Sequence, residues 1–386
     1  MRTRRERALF LRVPYQIYRD DPAWVAPLLF MQRDSIAPGN PVFEHLRWQP
    51  FLAWRGDRPV GRISAQVDSL VQVHRGENNG YFGMLEAPDD SAVFAALFAA
   101  AEQWLRDQGM ERAIGPFNLN INQEIGALVE GFDTIPNMMM GHGRPCYDRQ
   151  IQAQGYAPAK DLLCYEAPPD FVEPPILTLL KKRLAGRLVV RPLNPRQKLA
   201  DFAAMREIFN DAWQHNWGFV PFTENEFRAI GNEMLLLIPA DLVQIALVDG
   251  KPAAFIVLLP NLNEAIRDLG GRLLPFGWAK LLWRLKVGFP STGRVPLMGV
   301  RQQYQQTRFG PGLAFAVIDA VRKIGFRRGI KVVEMSWVLE DNVGMRHIAE
   351  AIGGVVNKRY RMYERPLVGP GSSLDPAGYQ PAGAGS

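Results

Sequence analysis

Cysteine is scarce. Cys146 and Cys164 are the only two in 386 residues, too few for a disulfide framework or a four-thiolate zinc site. Such usage suits a reducing cytosol. Long apolar runs are missing too: none reaches the roughly 18 residues that a spanning helix needs. Met1-Arg-Thr-Arg-Arg-Glu-Arg7 has basic residues but no apolar h-region after it, so a cytoplasmic location is expected. No Gly-x-Ser-x-Gly elbow is present, and neither cysteine has a partner that would make it a nucleophile. His142 stands without a companion in sequence, which reads as structural, and no metal is expected. What is present is ordinary for a soluble globular protein: 47% apolar and 22% charged residues. The length exceeds one usual domain and suggests two.

The net charge of +6 is unevenly spread. From Gly271 to Lys331 there are twelve Lys or Arg and one acid, Asp319. A block of this kind calls for an anionic partner: cofactor phosphates, anionic lipid or nucleic acid. It carries no nucleic-acid-binding motif, and its tryptophans fall in an amphipathic array, so nucleic acid is not expected.

The chain reads as two divergent copies of one unit. Pro168 to Pro175 is a Pro-rich linker. Phe51-Leu-Ala-Trp54, a polar turn containing Pro59, and Arg62 to Val67 make a hairpin; Val243 to Val248, Asp249-Gly-Lys-Pro252 and Phe255 to Leu259 make another. Gly155 precedes Lys160, Tyr165 and Glu166, while Gly353 precedes Lys358, Tyr363 and Glu364 at the same offsets. The expected organisation is a domain over 1–166, a linker over 167–176, a second domain over 177–366 and a disordered Gly/Pro/Ser tail over 367–386.

Within the second copy, Phe202 to Ala212 and Glu224 to Leu237 are helical in pattern. The hairpin follows, then a strand over Arg294 to Val300. The glycine loop Arg308-Phe-Gly-Pro-Gly312 opens a helix whose Leu313, Ala316, Val317, Ala320, Val321 and Ile324 keep helical spacing. A strand over Lys331 to Val338, a helix capped at Asp341 or Asn342 and a last strand over Arg359 to Tyr363 complete an α+β layout. Its helix N-terminus is suited to a phosphate.

This order resembles the GCN5-related N-acetyltransferase superfamily. The resemblance covers most of 176–365 and, more weakly, 50–166. It implies two tandem acetyltransferase-like domains with mixed central sheets flanked by helices. It also implies acyl-CoA as cosubstrate, bound where the fourth and fifth strands of the unit splay apart. Gly310 and Gly312 fit the pyrophosphate loop, with Arg308, Phe309 and Leu313 around it. Met298, Gly299 and Val300 would carry the pantetheine. Asn342, Met345, Ile348, Glu350, Gly353 and Gly354 fill slots of another family pattern. Two departures stand out: Thr307 occupies the usual Gln/Arg slot, and Ala349 the slot of a frequent general-acid Tyr. His347, two residues earlier on a helix turning about 100° per residue, would point elsewhere and is a poor substitute. In the first copy the loop position reads Glu86-Ala-Pro-Asp-Asp-Ser91, with three acids and no glycine, so it should not hold pyrophosphate.

Two other segments are distinctive. Asn118, Asn120, Asn122 and Glu124 alternate, so an extended chain would line one face with them; an Asx-rich turn network is the other reading. As a site, Glu124 would be the base, with Asn120 and Asn122 orienting the acceptor and Asn118 beside them. Glu334 is the second candidate base. His215 and Trp217 border the acceptor in this fold. Met138-Met-Met140 supplies adaptable thioethers. Gly271 to Phe289 combines Trp278 and Trp283 with Arg272, Lys280, Arg284 and Lys286, the pattern of an interfacial helix starting near Trp278; the other reading is a helix packed on the core.

The duplicated plan, the basic-aromatic insert, and the segments Gly115-Pro116-Phe117-Asn118 and Gly131-Phe132-Asp133 are similar to the bacterial ceramide synthases. That likeness implies N-acylation of a long-chain sphingoid base from acyl-CoA, with peripheral contact to an anionic membrane. The alternatives are an N-acetyltransferase of a soluble small amine and a non-catalytic acyl-CoA or lipid-binding module.

Overall fold

The computed structural model describes residues 3–367 apart from 174 and 308. Arg308 and the expected tail beyond 367 therefore lie outside the described residues. The first half runs α1 (Arg4–Ile17), α2 (Leu29–Ser35), β1 (Leu46–Arg55), β2 (Arg58–Asp68), α3 (Ser69–Arg75), β3 (Asn79–Glu86), α4 (Ser91–Asp107), β4 (Arg112–Gly115), β5 (Phe117–Asn118), β6 (Glu124–Ile125), β7 (Ala127–Glu130), α5 (Cys146–Ala153) and β8 (Ala157–Ala167). The second runs α6 (Pro175–Arg183), β9 (Leu188–Pro192), α7 (Lys198–Trp213), α8 (Glu224–Leu237), β10 (Val243–Val248), β11 (Lys251–Pro260), α9 (Leu262–Ile266), α10 (Gly277–Lys286), β12 (Thr292–Val300), α11 (Gln302–Gln305), α12 (Gly310–Arg327), β13 (Val332–Leu339), α13 (Val343–Ala351) and β14 (Val355–Pro366).

Both expected hairpins form: β1 pairs with β2 and β10 with β11, each with a register shift near the turn. Asp249 and Gly250 both have positive φ, 51° and 74°, the backbone of a two-residue hairpin loop. Capping boxes start α1 at Thr3 and α8 at Thr223. The helix after the glycine loop begins at Gly310, three residues before Leu313 where its apolar face starts, because Pro311 is accommodated in its first turn.

The two halves share one mixed sheet ordered β1-β2-β3-β4-β14-β8-β13-β12-β11-β10-β9. The expected mixed central sheets flanked by helices are present, joined into one, and the closing strands are exchanged between the halves. β8, from the first half, pairs with β13 of the second; β14, from the second, pairs with β4 of the first; and β8 and β14 pair with each other at the centre. Tyr165 is consequently buried in the core of the second half and its counterpart Tyr363 in the core of the first.

Candidate functional site: a cleft at the strand splay

β12 and β13 run parallel from Thr292↔Val332 to Val295↔Met335 and then part. Beyond Val295 the edge of β12 facing β13 has no strand partner, while its other edge still pairs with β11 through Val300. The parted strands, α12, α13 and the end of α7 line a cleft of about 810 Å³. Met298, Gly299, Val300, Gly310, Asn342, His215 and Trp217 all line it. Asn342 also caps α13, accepting from the Met345 N–H at 3.1 Å.

Phe309, Gly312 and Leu313 do not line the cleft, and Gly312 and Leu313 are buried. Three amides expected to cradle a phosphate are engaged within the chain. Phe309 N–H donates to Thr307 Oγ1 at 3.1 Å, Gly310 N–H to the Thr307 carbonyl at 3.2 Å, and Leu313 N–H to the Phe309 carbonyl at 2.9 Å.

The asparagine-rich segment is not extended. β5 and β6 form a small hairpin that sets Asn118 opposite Glu124, and Asn118 Nδ2 donates to Glu124 at 3.0 Å. Asn120 and Asn122 sit in the connecting turn, where Asn120 Oδ1 accepts the Asn122 N–H at 3.1 Å, an Asx-type turn. The turn reaches the second half: Asn120 Nδ2 donates to Glu226 at 3.1 Å and Asn122 Nδ2 to the Val220 carbonyl at 3.4 Å. The single-face arrangement fails because the alternation is folded back on itself. Neither Glu124, Asn118 nor Asn120 lines the cleft.

Glu334 is 1% exposed. Ser336 Oγ donates to its carboxylate at 2.6 Å, and Asn357 Nδ2 lies 3.3 Å from the other oxygen. Ser336 lines the cleft, so the buried carboxylate connects to it through one hydroxyl. Sequence reading missed Arg294, whose signal was a cation inside an apolar strand. Its Nε donates to Ser336 Oγ at 2.7 Å, and Nη1 to the carbonyls of Met138 and Met139 at 3.1 Å each. It ties the methionine loop of the first half to the splay of the second. Burial lowers its pKa, opposed by the Glu334 carboxylate.

A second cavity, of about 50 Å³, shares Trp213, Asn216, Trp217, Pro296 and Trp337 with the cleft. Asn122 and Arg294 are among its few polar lining residues. A third, of about 20 Å³, shares Phe222, Ile230, Met234 and Leu297 with the second, and every side chain of its wall is apolar. Trp213 and Trp337 meet edge to face at 5.6 Å where cleft and second cavity adjoin. Trp213 Nε1 donates to the Met298 carbonyl at 3.0 Å, which fixes the ring.

No family profile matches the chain. Protein YghO of Escherichia coli is 48% identical over 359 residues, 93% of this chain and 92% of that protein. A protein of Caulobacter vibrioides named bacterial ceramide synthase is 46% identical over 370 residues, 95% of this chain and 96% of that protein. A tandem GNAT protein from the clavulanic acid pathway superposes with a TM-score of 0.56 at 13% identity, over 95% of this chain and 97% of that one. The glucosamine N-acetyltransferase region of a fungal β-N-acetylglucosaminidase gives 0.55 at 14% identity, over 92% and 37%.

The chain belongs to the family of the first two proteins, with the tandem GCN5-related N-acetyltransferase fold. In that frame β12 and β13 are the splayed strands of the second acetyltransferase unit. The same splay exists in the first unit, where β3 and β4 pair in parallel from Asn79↔Arg112 to Tyr81↔Ile114. There the gap is filled by the chain itself. The Phe117 carbonyl accepts from Gln66 at 2.6 Å, Met84 N–H donates to Asn118 at 2.7 Å, and a Cβ on Gly83 would stand 1.6 Å from the Phe117 carbonyl oxygen. Glu86, at the loop position of that unit, is partly buried and accepts from Tyr18 and Tyr147 at 2.6 and 2.9 Å. Burial pushes its pKa up against the pull of Arg62.

On α13 of the second acetyltransferase unit, the expectation for His347 is corrected. His347 lines the cleft with Gly344, Ile348 and Ala351, whereas Ala349 is fully buried. The helix turns its 344–348–351 stripe to the cleft and packs Ala349 inward against Gly354.

Trp278 and Trp283 lie away from the cleft, on α10, 50% and 60% exposed. Leu274, Phe276, Leu282 and Val287 are exposed along the same segment. Only Leu281 of the helix is buried, so the reading of α10 as a core helix fails for the tryptophans. Lys280 and Arg284 are paired with Asp268, which leaves Arg272 and Lys286 as the segment's other cations. No helix among the described residues is long and apolar enough to cross a membrane.

Proposed function

We propose that the protein is an acyl-CoA-dependent N-acyltransferase that acylates the amine of a long-chain, sphingoid-type base to give a ceramide-type amide. The observation that carries this reading is the pair of apolar cavities adjoining the strand splay. An acetyl group has no use for them, whereas a lipid chain can enter them by displacing the flexible Met234 side chain that lines both. The name of the Caulobacter relative supports the same substrate class. The unit over 177–366 would bind the donor. The unit over 1–166, its own splay closed, would supply the hairpin turn and methionine loop that wall the acceptor side.

Chemistry of this class needs a base for the attacking ammonium and an acid for the leaving thiolate. The free edge of β12 offers backbone groups to the pantetheine amides and to the thioester carbonyl. Of the two candidate bases, Glu334 has the shorter connection to the cleft, through Ser336; Glu124 is held by Asn118 behind the cavity wall. In our reading Ser336 Oγ takes a proton from the amine as it passes its own to Glu334. A hydroxyl has two acceptor positions, so the Arg294 bond leaves one free. His347 is the imidazole on the α13 side of the cleft, placed to serve the thiolate.

The exposed apolar side chains of 274–287 would dock the protein on the cytoplasmic leaflet, where the acceptor resides. Each that inserts contributes on the order of 1.5–3 kcal/mol, and each cation near an anionic surface about 1 kcal/mol, enough for reversible docking. The test is turnover by the purified protein across acyl-CoA donors with a sphingoid base, together with lipid mass spectrometry of cells with and without it. Long-chain amide formation is the expected result. A saturable preference for acetyl-CoA over long-chain acyl-CoA refutes it.

A further inference from the structure

Two lipid chains must meet at one thioester, and the structure offers two separate apolar surfaces. One is internal, the pair of cavities between α7, α8 and the β10–β12 face of the sheet; the other is the exposed face of α10. Resting on the donor reading above, we infer that the two internal cavities, about 50 and 20 Å³ as they stand, open into one channel for the alkyl chain of the acyl-CoA as the Met234 side chain yields, and that its blind end at Phe202 and Gly231 sets the longest chain accepted.

With CoA held on the α12–α13 side, the thioester reaches the splay where Trp213 and Trp337 frame the opening. A chain continuing in the same direction passes Pro296 and Leu297 into the first chamber, then between Phe222, Ile230 and Met234 into the second. The polar groups are graded along this path. Asn122, Gln123, Asn216 and Arg294 stand in the first chamber, near the reacting carbonyl, and the second has none. That gradient suits a chain with its one polar group at the splay. A sphingoid base carries hydroxyls beside its amine, and its tail has the exposed surface of α10 available on the side from which a membrane lipid arrives.

The end of the channel is tight. A Cβ on Gly231 would lie 2.7 Å from Phe202 Cζ, with Leu193, Val243 and Val257 also in the wall. Gly231 is therefore a position where any side chain must move the Phe202 ring, and Phe202 is the stop. Met234 lines both chambers and controls the passage between them.

The experiment is equilibrium binding of CoA and of saturated acyl-CoAs from C2 to C18, below micellar concentrations, to the full chain and two variants. In the wild type, affinity should rise about fourfold per added methylene and then level off at one chain length. Met234→Trp should bring the plateau to a shorter chain, and Phe202→Leu should move it to a longer one, with CoA itself bound as before. The opposed shifts keep the test valid if one variant fails to fold. Equal affinity of the wild type for CoA and C16-CoA overturns the channel while leaving CoA binding standing; no CoA binding at all overturns the donor reading beneath it. If both folded variants leave the acyl plateau in place and instead change the preferred tail length of the amine, the channel holds the acceptor, and the inference fails.

Discussion

His45 provides a quantitative test of how the two halves are held together. It lies between Asp68, 2.8 Å from Nδ1, and Glu226, 3.2 Å from Nε2, with all three side chains at most 6% exposed. Burial disfavours the imidazolium, but the hydrogen bonds and charges of the two carboxylates outweigh it and push the pKa up to about 10. In turn, burial raises the Glu226 pKa but His45 more than offsets this, and the net shift is downward. Glu226 closes the capping box of α8 and accepts from Asn120, so the imidazolium joins β1–β2 of the first half to the helix that walls the acyl channel.

The sign is fixed by linkage. The folded pKa is raised above the unfolded value near 6.5. The stabilisation is therefore complete below about pH 6.5 and is lost as pH rises through the folded value of about 10. The slope inside that window is about 1.4 kcal/mol per pH unit, and the whole shift corresponds to roughly 5 kcal/mol as an upper bound. His45→Gln removes the cation and leaves two buried carboxylates facing each other, which should cost about 3–5 kcal/mol at pH 7. The assay is denaturant unfolding of wild type and variant at pH 6.5, 8 and 10. Other groups titrate near pH 10, so the informative quantity is the gap between the two proteins. It should be largest at pH 6.5 and shrink by several kcal/mol by pH 10. A gap that stays constant across that range shows that His45 is not held as a cation, and the reasoning fails.

Three further outcomes are expected. Gly312→Asp should abolish CoA binding in a folded protein, because it places an anion in the first turn of α12; unchanged affinity in a direct titration would falsify the phosphate placement. Ser336→Ala should lower kcat by about 10²-fold or more with little change in the acyl-CoA KM, and wild-type turnover would exclude the relay to Glu334. Replacing Trp278 and Trp283 together by Ser should weaken binding to anionic vesicles and activity on membrane-borne acceptors, while thermal unfolding stays close to wild type because both rings are half exposed or more; a vesicle affinity equal to wild type removes α10 from the docking surface.

Local structure was largely legible in the sequence because it depends on neighbours. The Asp249-Gly250 turn, the helical pattern from Glu224 to Leu237 and the helical spacing after Gly312 are all short-range signals. The splay was reached only through the family resemblance. The strand exchange was not legible, and the reason is physical. β8 and β14 carry Lys, Tyr and Glu at the same offsets, so either could close either sheet; sequence periodicity cannot choose between equivalent partners. The asparagine segment misled for a related reason. Alternation specifies one face only if the chain stays extended, and asparagines favour the Asx turn that Asn120 makes. The acyl channel had no sequence signal at all. Its walls come from α7, α8, β10, β11, β12 and the β5–β6 turn, each contributing ordinary apolar residues that also read as core.

Duplication followed by strand exchange has a consequence for how such a site is built. With β8 in one half and β14 in the other, neither half can complete its sheet alone, so the exchanged strands fix the relative position of the halves together with contacts such as His45 with Glu226. That rigidity lets the first half act on the second at close range. Its filled splay turns the β5–β6 hairpin outward, and the turn meets α8 through Asn120 and Glu226. Its methionine loop is drawn to the open splay by Arg294, with Met139 at a φ of 62°. A backbone held in that sparsely populated region by a buried guanidinium indicates a segment placed for a purpose other than stability. The unit that lost its own cleft thus became one wall of its partner's. This explains why Asn122, Met139 and Arg294, from three separate segments of sequence, line one cavity.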